Sequence, residues 1–251
     1  MKKYFGFIIC LAGCIASRNP SDINLHTGYI NNVKTQADIE NNRRVEKQQH
    51  NLSPLYNHKN ESARLKLSDD VFIRNVLKDC KCDSVQAGNI FAFKAWTFFR
   101  SGNNEIASKR FNQAYLFDTT NYKIYWGFGD IMAKQNRDDE AIPLYNRAFT
   151  LYKSRSDSDF VFLSLDATNP YIDKFMQTKN KAFVDAAFSI LDKAAKILPD
   201  FPQLNNLYSH LYFETGDYSR ALDYYNKTVA SDKRFINSDY LKSINDKLGT
   251  K

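Results

Sequence analysis

The stretch NEIASKRFNQA at residues 104–114 and the stretch DDEAIPLYNRA at residues 138–148 decide the fold. Ala107, Phe111 and Ala114 in the first fall on Ala141, Tyr145 and Ala148 in the second, 34 residues later. Spacings of four and three put all three side chains on one face of a helix. The same shift carries Phe91 onto Tyr125 and Ala95 onto Gly129. Further along, Ala187 and Leu191 fall on Ala221 and Tyr225, again 34 apart. Small residues let two helices cross closely, and the large residue four positions on fills the space beside the crossing.

A period of 34 with this pattern resembles the tetratricopeptide repeat, a unit of two helices joined by a turn. Gly102-Asn103-Asn104 and Gly216-Asp217-Tyr218 sit where that turn belongs, and Asn136-Arg137-Asp138 takes the place in a unit that lacks the glycine. Ala187, Leu191, Ala194 and Pro199 match the second helix of a further unit, with the family's terminal proline. The resemblance implies an all-α solenoid. No hairpin of this kind covers its own apolar face, so neighbours must stack. The units are placed at 88–121, 122–155, 156–201 and 202–235 within a helical domain over 68–250. The third is stretched, because Ala141 and Ala187 are 46 residues apart, and the surplus is expected in Lys153–Pro170. Tyr240, Leu241, Ile244 and Leu248 form the stripe of a capping helix over 237–248. Ser68-Asp69-Asp70 reads as a helix start ahead of a stripe at Ile73, Val76, Leu77 and Cys80. Pro143 lies inside a second helix, where it should kink the helix or cost about 3 kcal/mol.

Composition agrees with helices. The 251 residues hold only 9 Gly and 6 Pro, too few for the many turns of a β sandwich or barrel. A hydrophobic share of 43% argues against wholesale disorder. Mean hydropathy is −0.53, with no apolar run long enough for a membrane-spanning helix. The net charge of +7 is modest, and basic residues are interleaved with acidic ones. No basic face with aromatic readers is visible, so nucleic acid is not an expected partner.

The N-terminus reads as an address. Met1-Lys2-Lys3 precedes an uncharged, mostly apolar stretch from Phe5 to Ala16, which is the pattern of a secretory signal peptide. Leu11-Ala12-Gly13-Cys14 resembles the lipobox of bacterial lipoproteins. That resemblance implies removal of residues 1–13 and a lipid on Cys14. With Ile15 after the cysteine it favours the outer membrane, with the protein facing the periplasm. Residues 14–67, rich in Asn, Gln, Ser, His and charge, are then expected to be the anchor and a mostly disordered tether. A docked arm is the rival reading of that segment.

Catalytic chemistry is sparse. His26, His50 and His58 lie in the tether, which leaves His210 alone among the repeats. No nucleophile elbow and no zinc-protease motif occurs, so the chain reads as a non-enzyme without metal or cofactor. Gly127-Phe128-Gly129 imitates a dinucleotide loop, but Met132 stands where a third glycine is needed. Cys80 and Cys82 are separated by one residue and are open to three readings: an intramolecular disulfide, a bond between molecules, or plain thiols.

The family resemblance implies that the first helix of each unit lines a binding groove. Its ligand-facing positions here are Trp96, Phe99 and Arg100, then Trp126, Asp130 and Lys134, then Asn206, His210 and Phe213. An offset of one residue would instead send the tryptophans to the core. The function these readings support is a lipid-anchored adaptor that binds a protein or peptide in the cell envelope. Similar systems organise cell-wall hydrolases, secretion or pilus machinery, or barrel assembly. The alternative is a peptidoglycan- or glycan-binding lipoprotein that stacks sugars on Trp96 and Trp126. A hydrolase without a recognisable motif is a third and weaker reading.

Overall fold

The computed structural model describes residues 40–41, 44–45, 51–56, 63–153 and 158–249. Cys14 and the leader at 1–13 lie outside the described residues. Between Ala63 and Leu248 the described residues form ten α-helices. They are α1 (Ala63–Cys80), α2 (Ser84–Arg100), α3 (Asn104–Phe117), α4 (Tyr122–Lys134) and α5 (Asp138–Leu151). There follow α6 (Ser158–Thr178), α7 (Lys181–Ala195), α8 (Pro202–Glu214), α9 (Tyr218–Ser231) and α10 (Ser238–Leu248). Helices α2/α3, α4/α5, α6/α7 and α8/α9 pair as hairpins. The first helices of the hairpins also pack on one another in order, α2 on α4, α4 on α6 and α6 on α8. The architecture is an all-α tetratricopeptide-type solenoid.

The repeat residues form the seams. Ala107, Phe111 and Ala114 are fully buried, as are Ala141 and Ala148, Ala187, Leu191 and Ala194, and Ala221. In the last hairpin Thr228 takes the place of the third small residue, its hydroxyl donating to the Tyr224 carbonyl at 2.8 Å. Three of the four hairpin turns are alike, each with a left-handed Gly or Asn, while the α6/α7 turn uses Lys179 at φ 56°. Gly102 and Gly216 have φ of 82° and 85°, and Asn136, in the unit without a glycine, has φ of 57°. Asparagine is the side chain that tolerates this region best. The amide two residues after each αL residue's predecessor closes the turn: Asn103, Arg137 and Asp217 donate to Phe98, Met132 and Tyr212 at 2.9, 3.0 and 2.9 Å.

Two expectations need correction. First, α1 starts at Ala63 rather than at Ser68, so the Ser-Asp-Asp cluster lies inside a helix. Second, residues 51–56 are not free tether. They sit against the body, with Tyr56 buried. The surplus of the third unit falls mostly where it is expected, as helix within Lys153–Pro170. It lengthens α6 to 21 residues against 13 in α4, which adds about two turns. Pro143 lies inside α5 as expected, and the helix runs on to Leu151. Pro143 and Asp139 are both exposed, so the Asp139 carbonyl that loses its amide partner is open to water.

Candidate protein-interaction surface

The layer of first helices is where the groove is expected, and the longer α6 changes it. Trp126 on α4 is only 9% exposed. Its indole N–H donates to Asp166 Oδ2 on α6 at 2.9 Å. Trp96 on α2 is half-buried and donates from its indole to the Lys123 carbonyl on α4 at 3.2 Å. The two indoles meet edge to face, 4.8 Å between centroids. The tryptophans therefore tie three first helices together. Phe99 is buried, and the Lys134 ammonium stands 3.7 Å from its ring centre. Asp130 is buried and accepts from the Tyr145 hydroxyl at 2.6 Å.

Trp126, Phe99 and Asp130 thus belong to the interior rather than to an open groove. Gly127 and Gly129 give a ligand no room either. A Cβ on Gly127 would lie 2.0 Å from the Phe111 ring, and one on Gly129 would lie 2.9 Å from the Tyr145 ring. They are glycines because the second helices press against them.

Burial governs the electrostatics. It pushes the Asp130 carboxyl well above its usual range, and the neighbouring Asp166 charge adds to the effect. Burial also raises Asp166 to about 6, against the opposing pull of the Trp126 hydrogen bond and the Lys134 charge. His210 is lowered by burial.

The exposed members of the layer are different residues. Arg100 and Lys134 reach solvent, and Phe93 on α2 is 73% exposed. Phe162 on α6 is 44% exposed and lies edge-on to Phe201, 5.8 Å between centroids. Neither phenylalanine stands out in the repeat pattern, because the period marks buried positions. Asn206, His210 and Phe213 on α8 are half-buried and meet the capping helix. His210 and Phe213 stack near Tyr240 at 4.5 and 5.5 Å. Asn206 and His210 line a cleft of about 440 Å³ with Phe235, Ile236, Ser238 and Tyr240. Away from this layer, Cys80 and Cys82 are joined as a disulfide at the end of α1.

Stacked helical hairpins with small residues at the crossings define an α-solenoid repeat protein. The tetratricopeptide repeat family matches residues 202–234, which are α8, α9 and the turn after them. Those residues form a tetratricopeptide repeat, and the fold around them is an all-α solenoid of that type. The chain's fold is similar to the crystal structure of PilW, described as a widely conserved type IV pilus biogenesis factor. That similarity has a TM-score of 0.54 and 16% identity, over 89% of this chain and 88% of that one. No curated protein matches the sequence.

Proposed function

We propose that the chain is a non-catalytic scaffold of the bacterial cell envelope, held to a membrane by a lipid on Cys14. The exposed side of its first-helix layer takes a protein or peptide partner. The observation that carries this reading is the shared layer of α2, α4, α6 and α8, since repeats of this type offer extended surfaces built from successive units. Phe93, Phe162 and Arg100 supply apolar and cationic contacts on it. The fold shared with PilW makes assembly of surface structures the first process to examine. The Leu11-Ala12-Gly13-Cys14 match supports the anchor. The glycan reading has little platform, because Trp126 is 9% exposed and Trp96 is half-buried, with edge contacts to Phe111 and to each other.

The test is a pair of photo-cross-linking experiments in intact envelopes, one with the probe at Phe93 and one at Phe162. A single stoichiometric protein adduct is expected. Retention on peptidoglycan with no protein adduct would reverse the assignment. In parallel, Cys14→Ala should move the protein out of the membrane fraction and change its mass.

A further inference from the structure

Asn112 occupies a position that the repeat makes polar in every unit. Its equivalents are Asn146, Asp192 and Asn226, all exposed on the second helices. Asn146 and Asp192 accept from Tyr171 and Tyr208 of the following unit at 2.9 and 2.7 Å. Asn112 has no exposed surface at all. What covers it is the chain's own segment Asn51–Tyr56.

The contact is specific. Asn112 Nδ2 donates to the Asn51 and Ser53 carbonyls at 2.9 and 2.8 Å. Its Oδ1 accepts the Tyr56 amide N–H at 3.2 Å. One side-chain amide thus holds three main-chain groups of a short turn, and the turn's own Tyr56 N–H to Ser53 carbonyl contact closes it at 3.1 Å. The Tyr56 side chain is buried. Leu55 and Tyr56 both adopt left-handed φ, 54° and 60°, which is unfavourable for residues with side chains. Such backbone persists only while the surroundings over-determine it. Here those surroundings are the Asn112 bonds and the Tyr56 slot.

We propose that Asn112 on α3 is a peptide-recognition site for a short turn ending in an aromatic residue, and that Asn51–Tyr56 is a strap filling it in cis. Recognition through main-chain groups reads the turn's shape, and the slot for Tyr56 reads the aromatic. Because the strap is strained and α3 is not, the strap leaves as a unit and the site survives it. The site lies on a second helix, so it is separate from the partner surface proposed above.

The test uses the full chain and two variants. Asn112→Leu keeps the branched shape, adds some volume and removes the amide. Tyr56→Pro removes the bonded N–H and forbids positive φ without touching α3. Hydrogen exchange of the Tyr56 amide should accelerate about tenfold or more in Asn112→Leu, with α4–α9 amides unchanged. A fluorescent NLSPLY peptide should bind the Tyr56→Pro chain saturably and fail to bind the double variant. Three results would overturn the proposal. One is a Tyr56 amide unmoved by Asn112→Leu. The second is exchange across α4–α9 rising in step with it, which makes the segment part of the core. The third is no saturable peptide binding to a folded Tyr56→Pro chain.

Discussion

The Trp126 indole N–H of α4 donates to Asp166 Oδ2 of α6 at 2.9 Å, and this bond crosses from the second hairpin to the third. It makes Trp126 a structural residue. Trp126→Ala should cost about 3–5 kcal/mol through the cavity it leaves. Trp126→Phe keeps most of the volume but strands the half-buried Asp166 carboxylate, for about 1–3 kcal/mol. Urea denaturation of both variants checks this. A Trp126→Ala chain as stable as the parent would return the residue to the surface.

The partner of that indole gives the protein a stability that falls as pH rises. Asp166 is held up at about 6 by burial, and Asp130 is raised as well. An unfolded carboxylate titrates near 4. A raised carboxyl stabilises the fold fully below the unfolded value, and that contribution is lost as pH climbs through the folded one. Between about pH 4 and 6 Asp166 should therefore lower the melting temperature as pH rises, and Asp130 acts in the same direction. His210, lowered by burial, acts in the opposite sense and weakens the fold as pH falls. Asp166→Asn separates the two effects. Its melting temperature should respond to pH less on the carboxylate side, and an unchanged profile would remove Asp166 as the cause.

The solenoid was readable because alanines repeat at 34 residues, and the positions so marked, such as Ala107 and Ala141, are the buried crossings. The groove was not readable from the same period. A repeat register places Trp126 on a helix face, but whether that face is open depends on the neighbouring unit, and α6 is longer than the repeat prescribes. The docked arm stood only as the rival reading, for a different reason. Its segment is polar and aperiodic, and its anchor Asn112 lies 56 residues from Tyr56 with nothing local to join them.

Gly127 and Gly129 should resist any side chain, and unequally. Gly127→Ala places a Cβ 2.0 Å from the Phe111 ring, while Gly129→Ala approaches the Tyr145 ring at 2.9 Å. Overpacking of this kind costs about 1–3 kcal/mol or more. Gly127→Ala is expected to be the worse of the two by thermal denaturation. Equal, small losses would mean that the second helices yield easily at both crossings.

Pro143 offers a change in the other direction. It sits in the interior of α5, lacks an N–H and is exposed, so no buried contact depends on its ring. Alanine there restores the amide that the Asp139 carbonyl can accept, and alanine exceeds proline in helix propensity by about 3 kcal/mol. Part of that difference is offset, because proline also restricts the unfolded chain, by about 0.4–1 kcal/mol. Pro143→Ala should thus stabilise the protein by about 2–2.6 kcal/mol, read as a higher urea midpoint with an unchanged slope. The neighbouring acidic residues Asp138, Asp139 and Glu140 already favour the start of this helix, so the gain should come from its interior. A lower midpoint would show that α5 needs the proline, as a bend that fits it against α4 and α6.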